Sequence, residues 1–493
     1  MTTADVCLVS EGAYPYSVGG VSSWVQNLIA AHPDLTFHVL VVLPDREPRR
    51  MGYTLPPNVV GLHHVFLDRV GVPGNPGVRL NGALNGLREP LLALQQPHGG
   101  LDHLAAVIAV LARLPRSQRG QHALLDSKSA WNLTVGMYEA ALPDGPFLDY
   151  FWACRCLLGG LYACLLGPLP KATIYHTVST GYAGLVAARA KLEAGSRVLL
   201  TEHGIYTNER RIEITMADWV YGYPDPHLVV GDHEHGLADV WKDSFASYAR
   251  VCYEASDHIL TLYSGNQALQ LRDGAPPEKL AIVPNGVDYE MYASIPAETG
   301  ERPPTVALIG RVVAIKDVKT YIRACARLRR DVPGLKALVL GPMDEEPEYH
   351  AECLELVRRL DAGDTIVFTG RVDPKAYLGR IDCIVLTSVS EAQPLCLLEA
   401  GAAGVPCVAS DVGACREMVL GRPDESPHLG CGGEITEPAS PAATAKAMAR
   451  LLGDDDYRRR CGRAIQERVR RYYNKQTIDR TYGDLYREMV MEA

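Results

Sequence analysis

Thr387-Ser388-Val389-Ser390-Glu391-Ala392-Gln393-Pro394-Leu395-Cys396-Leu397-Leu398-Glu399-Ala400-Gly401-Ala402-Ala403 is the stretch that decides how this chain is read. The β-type run at residues 381–386 ends at its polar half and a helix-forming segment follows, so the loop hands a strand into a helix N-terminus. Glu391 stands at that entrance and Glu399 lies inside the helix. At about 1.5 Å and about 100° per residue, this spacing sets the second carboxylate roughly 12 Å along and roughly 80° round the axis. Such a separation excludes a shared metal or a proton-sharing pair of carboxylates. It suits two groups gripping opposite ends of one elongated ligand, with phosphates at the helix N-terminus, where free N–H groups and the dipole favour anions. Two glutamates at this spacing also occur on helices that bind nothing, so the rest of the chain has to arbitrate.

Length and composition narrow the classes. With 493 residues, 47% of them apolar, the chain can build large cores in about two to four domains. A net charge of -9 argues against a general nucleic-acid binder, which needs a basic face to neutralise phosphates. The start has no basic segment ahead of its first strand pattern, and no signal peptide is expected. The most lipid-like stretch, residues 151–169, is interrupted by Arg155 and by Gly and Pro, which leaves it short of the roughly 20 residues a span requires. A buried helix is expected there. Thirteen cysteines without a C-x-x-C pair, and a Cys154-x-Cys156 with no partner cluster, fit reduced thiols in cores and a cytosolic compartment.

Strands and helices alternate along most of the chain. An opening strand at 5–10 leads through Gly19-Gly20 into a helix containing Trp24, Val25, Leu28 and Ile29. The two glycines let backbone approach a ligand, although G-x-G-x-x-G is absent. A second strand at 37–43 precedes an insertion over about 44–170, which reads as irregular and Pro/Gly-rich to 97 and then as apolar helices around 101–114 and 131–169. Alternation resumes with a strand at 172–176, a helix at 181–191 and a strand at 197–201. This last strand delivers Glu202-His203-Gly204-Ile205-Tyr206 to a loop at its carboxyl end, the edge where open α/β sheets bind ligands. His203 is the site candidate there, with Tyr206 and Arg210 behind it. Asp232-His233-Glu234-His235 lacks a third ligand at metal spacing and reads as a solvated loop. A strand at 257–262 and the turn Pro284-Asn285-Gly286-Val287-Asp288 close this half.

Residues 295–304, rich in Pro and Glu, read as a linker, and a second α/β series starts with the strand at 305–309. Arg311 and Lys316 then flank a strand-to-helix turn, a place where two cations can meet a diphosphate. Further strands at 337–340, 365–369 and 406–410 precede Gly341, Gly370-Arg371-Val372 and Asp411-Val412-Gly413. Asp454-Asp455-Asp456 opens an Arg-rich helix and reads as a cap, not as a metal site. The expected fold is two Rossmann-like doubly wound α/β domains, residues 1–294 and 303–471, facing one another across a cleft.

The motifs P-N-G-V-D, G-R-x4-K and E-x7-E, with the E-H-G element, resemble the retaining GT-B glycosyltransferases of family 4, and the opening Y-P-Y-S-V-G-G-V-S-S-W, T-E-H-G-I-Y, the long insertion and S-E-A-Q-P-L together resemble its Pel-type exopolysaccharide members. The resemblance is weak over 1–43, lost over the insertion, regained near 172 and strongest over 282–420. It implies that Glu391 and His203 act at the sugar, that Glu399 holds the nucleotide ribose, and that Arg311 and Lys316 clamp the diphosphate in place of a metal. It also sets Gly19, Gly20 and Leu395 at the donor and Arg371 and Val372 at the base. No cofactor is implied beyond a UDP-sugar donor, whose hexose or N-acetylhexosamine passes by front-face attack, with retention, to a growing polysaccharide. The implied setting is cytoplasmic, peripheral to an inner-membrane synthase or export complex, with the tail 472–493 crossing back onto the first domain. Relatives carry Gly-aromatic-Gly where this chain has Ala392-Gln393-Pro394, and Pro394 withholds an N–H. A UDP-sugar epimerase of the same fold and a non-catalytic export component are the competing readings.

Overall fold

The structure is a computed structural model that describes residues 3–71, 82, 84–215 and 236–492. Asp232-His233-Glu234-His235 lies outside the described residues. The chain divides into two units, the first comprising Met1–Thr261, Asn266–Ile282 and Tyr482–Ala493, the second Leu262–Gly265 and Val283–Thr481.

In the first unit, strands β1 (Ala4–Glu11), β2 (Phe37–Leu43), β3 (Val59–Phe66), β4 (Ala172–Thr177), β5 (Arg197–Glu202), β6 (His258–Thr261) and β7 (Leu280–Ile282) form one sheet in the order β3-β2-β1-β4-β5-β6-β7. Every neighbouring pair is parallel. The β2 strand, F-H-V-L-V-V-L, apolar but for His38, is buried throughout, as a parallel strand covered on both faces must be. β3 corrects the reading of its segment as irregular: it is an edge strand, mostly half-buried, inside a Pro/Gly-rich stretch that gave no apolar run. The later insertion holds the helices Leu101–Arg113, Lys128–Ala141 and Phe147–Leu166. The third buries Tyr150, Cys154, Leu157, Leu161 and Leu165 in the main core of the unit. Among the described residues, no helix is long and apolar enough to cross a membrane.

The second unit repeats the plan with β8 (Thr305–Ile309), β9 (Lys336–Leu340), β10 (Ile366–Gly370), β11 (Cys383–Leu386), β12 (Cys407–Ser410) and β13 (Gly433–Thr436), again all parallel, in the order β10-β9-β8-β11-β12-β13. The first unit gives way to the second after Ile282, earlier than the sequence pattern suggests, and takes up the chain again at Tyr482. Pro284-Asn285-Gly286-Val287-Asp288 folds with the second unit because Val287 bonds through its backbone to Tyr473 and Lys475. Residues 295–304 are likewise fastened there: Arg302 makes a two-pronged pair with buried Asp382 at 2.7 and 2.8 Å, and the Glu298 N–H donates to the Gly379 carbonyl. Asp454 caps the helix Asp455–Tyr472, its carboxylate accepting from the Tyr457 N–H at 2.8 Å.

The last helix, Lys475–Met491, joins the first unit from Tyr482 onward. There the Tyr486 hydroxyl lies 2.6 Å from Nδ1 of fully buried His176, whose Nε2 is 2.8 Å from the Thr201 hydroxyl. Burial pushes the His176 imidazole down to about 3, so it is neutral and needs both partners. Replacing Tyr486 by Phe strands a buried ring nitrogen, and the expected cost is about 1–3 kcal/mol, read as a lower urea midpoint with an unchanged denaturant slope.

Candidate functional site

In the second unit the sheet order reverses between β8 and β11, the switch point at whose carboxyl edge open α/β sheets bind ligands. Those two loops carry Lys316 and Glu391. The chain leaves β8 through Gly310, whose φ of +156° favours glycine, and turns over Ala314–Lys316. Asp317 follows with φ of +43° and caps the helix Val318–Leu328 by accepting from the Thr320 N–H. The β11 loop is stapled alongside. The Thr387 hydroxyl lies 3.0 and 2.9 Å from the carbonyls of Lys316 and Asp317, and the Val389 N–H donates to Ile315 at 2.9 Å.

This staple brings Lys316 Nζ to 2.5 Å from Glu391 Oε1, which also accepts from the Ser388 hydroxyl at 2.7 Å. The two charged side chains keep only 18% and 13% of their surface, so their pairing is screened far less than a surface ion pair. Behind the loop, Gly413 has φ of +52°, and a Cβ there would stand 2.1 Å from the Glu391 carbonyl oxygen. Only glycine permits that approach. The Asn285 N–H donates to Gln393 Oε1 at 2.6 Å, so the P-N-G-V-D turn buttresses the same loop.

The helix begins only at Leu395, with Pro394 as its N-cap. Glu391 therefore precedes the helix, and the ideal-helix separation from Glu399 does not apply; this corrects the geometric reading of the spacing. The N–H that Pro394 lacks lies outside the helix, whose own first donors start at Leu395, a 40% exposed residue. Glu399 lies beside the Tyr292 hydroxyl, and burial pushes its carboxyl above the usual range, with Tyr292 opposing. Arg311 is exposed and pairs with Glu345 of the loop after β9, at 2.6 Å. Arg371 is exposed and Val372 half-buried, just past the end of β10. Of the predicted residues, Lys316 and Glu391 meet directly, while Arg311 and Glu399 hold other partners. Thr387 and Ser388 stand in the decisive stretch itself but look like ordinary loop residues; Glu345 and Tyr292 had no sequence signal.

In the first unit, His203 follows Glu202, which ends β5 instead of starting a loop. Its ring is buried, meets Trp24 edge-on at 4.5 Å, and neither ring nitrogen has a hydrogen-bond partner among the described residues. Glu202 is fully buried and accepts from Tyr253 at 2.8 Å and Gln270 at 2.9 Å. At the end of β1, Glu11 accepts from the Ala183 N–H at 2.9 Å and the Tyr206 hydroxyl at 3.0 Å, and the Arg210 guanidinium lies 4.9 Å over the Tyr206 ring. Gly19 is the extended N-cap of the helix Gly20–Ala31; both glycines are exposed, with open space where a Cβ would stand.

Comparison with known proteins assigns both halves. The profile described as "Domain of unknown function (DUF3492)" matches residues 4–278, and that of "Glycosyl transferases group 1" matches residues 294–468. The D-inositol 3-phosphate glycosyltransferase of Kineococcus radiotolerans is 29% identical over 238 residues, 44% of this chain and 54% of its own length. That of Salinispora tropica is 28% identical over 368 residues, 66% and 71% of the two chains. The chain thus spans about half the length of the first of these relatives. Among solved structures, sucrose-phosphate synthase from Thermosynechococcus elongatus superposes with a TM-score of 0.58 at 18% identity, covering 99% of this chain and 100% of that one. Anabaena Alr3699/HepE in complex with UDP gives 0.58 at 13% identity, covering 98% and 100%. At such identities the likeness is one of fold: two parallel-sheet Rossmann-like units of the GT-B type.

Adjacent Glu202 and His203 respond to pH in opposite senses. Burial raises the Glu202 carboxyl from 4.5 to about 7, so its contribution to stability is present at low pH and is lost as pH rises through that window. Burial lowers His203 from 6.5 to about 4, so its contribution is present above 6.5 and is lost as pH falls through that window. The two offset each other where the windows overlap. Glu202→Gln removes one side of the balance, and between pH 6.5 and 4.5 that variant is expected to lose about 2 kcal/mol more stability than the parent in urea titrations.

Proposed function

We propose that this chain, which belongs to the family described as "Domain of unknown function (DUF3492)" and carries a glycosyl transferases group 1 segment over residues 294–468, is a retaining, metal-independent glycosyltransferase. It moves a hexose or N-acetylhexosamine from a UDP-sugar to a growing exopolysaccharide of the Pel type, on the cytoplasmic side of an inner-membrane synthase or export assembly. The observation that supports this most is the Lys316–Glu391 pair at the switch point of the second sheet, a half-buried cation and carboxylate on one ligand-binding edge.

The chemistry follows from charge. As the glycosidic bond breaks, negative charge grows on the departing diphosphate, and a fixed cation in a partly desolvated place stabilises it more than water does. Lys316 is that cation. Arg311 is the second, and its exposed pairing with Glu345 is of the kind worth about 0–1 kcal/mol, so a diphosphate can displace Glu345 at small cost. The first N–H groups of the helix Leu395–Ala402 add donors for a phosphate. Glu391 faces the sugar ring and its developing oxocarbenium charge. Glu399, beside Tyr292, takes the ribose hydroxyls, while Arg371 and Val372 border the base. In the first unit, His203 is kept neutral by burial and serves as a hydrogen-bonding group for a sugar hydroxyl, and Gly19 and Gly20 leave room for donor phosphates.

Incubation of the purified chain with UDP-sugars, with and without acceptor oligosaccharide and with and without chelator, tests the reading. UDP release that requires acceptor and survives chelation is expected. Donor isomerised without UDP release marks an epimerase, and no conversion at all marks a non-catalytic component. Lys316→Ala is expected to lower turnover by about two orders of magnitude, near 3 kcal/mol of transition-state stabilisation, and near-normal turnover in a folded variant excludes the clamp.

A further inference from the structure

Glu391 presents its two oxygens unequally. Oε1 receives both the Lys316 ammonium at 2.5 Å and the Ser388 hydroxyl at 2.7 Å, while Oε2 has no hydrogen-bond partner among the described residues. Resting on the glycosyltransferase reading, we infer that Ser388 is a positioning residue that fixes the plane of the Glu391 carboxylate and leaves Oε2 as the oxygen offered to the donor sugar.

Lys316 by itself cannot set that plane. The terminal torsion of a glutamate is broad and roughly two-fold, and a lysine ammonium on a flexible stem follows whichever oxygen it meets. A second donor on the same oxygen, carried by a rigid loop, removes the degeneracy. Ser388 meets this requirement, being only 1% exposed, so no water can take over its bond. Its neighbour Thr387 is held by the carbonyls of Lys316 and Asp317, and Val389 by Ile315, so the hydroxyl is clamped between two fixed residues. The arrangement also spares Lys316: the ammonium has three N–H donors, and sharing Oε1 occupies one of them. The others stay free for a diphosphate while Oε2 faces the ring.

Ser388 therefore acts through Glu391 on turnover and not on donor affinity. Steady-state kinetics of acceptor-dependent UDP release provide the test, with thermal unfolding as the control for fold. Ser388→Ala is expected to lower kcat about ten- to hundredfold, the scale on which a misplaced reacting group is felt, while the donor KM changes by less than about threefold. Ser388→Cys keeps the size but supplies only a weak donor, so it is expected to remain close to the alanine variant; Ser388→Thr, which keeps the hydroxyl, is expected to recover most of the loss. A folded Ser388→Ala or Ser388→Cys variant with the parent kcat, or a loss confined to KM, overturns the inference while leaving the glycosyltransferase reading intact. Absence of UDP release from the unaltered chain overturns both.

Discussion

The ion pair between Lys316 and Glu391 joins residues 75 positions apart, and everything proposed for the second unit depends on its being formed. Neither side chain reaches the other through local structure. They meet because β8 and β11 lie side by side at the point where strand order reverses, so the two following loops emerge together with no third loop between them. The Thr387 and Val389 bonds then turn neighbourhood into contact, and Gly413, bare of a side chain, lets the next connection close in from behind. The carboxylate and ammonium stabilise one another, and each has more hydrogen-bonding capacity than this one contact uses.

The first unit has the same strand order over its first six strands and treats its corresponding edge differently. The carboxyl ends of β1 and β5 carry Glu11 and Glu202, and burial raises both carboxyls above the usual range. Each is compensated by donors from neighbouring elements: Glu11 by the N-terminal turn of the helix Tyr182–Ala194 and by Tyr206, Glu202 by Tyr253 and Gln270. These carboxylates brace loops instead of meeting solvent. One topology thus supports two different edges: in the second unit Lys316 and Glu391 pair across adjacent loops, and in the first the carboxyls are satisfied from within, His203 being the exception with two ring nitrogens that find no hydrogen-bond partner among the described residues.

Much of this was legible without coordinates. The nearly continuous apolar runs of β2, β8 and β11 announce parallel strands covered on both faces, where a strand needs no polar side. The polar breaks after them mark the edge on which open α/β sheets bind ligands, and the resemblance to family 4 glycosyltransferases singled out Arg311, Lys316, Glu391, Glu399 and His203 as candidates. Asp454 was legible as a cap because capping chemistry is local.

What escaped was whatever depends on partners far along the chain. β3 exists because β2 offers it an edge to pair with, and its own half-buried pattern carries too little periodicity to announce it. The stretch 295–304 has a linker's composition, yet Arg302 finds Asp382 and binds it to the second unit. The sequence by itself determined the alternation of elements, the edge on which chemistry must sit, and the residue types available there, because backbone propensity and hydrophobic periodicity are properties of neighbours. Only the tertiary structure decided that Lys316 takes Glu391 while Arg311 takes Glu345, that Glu391 stands ahead of its helix, and that Ser388 shares an oxygen with a lysine. Such choices follow from strand order and loop packing, which bring together groups that no local pattern relates.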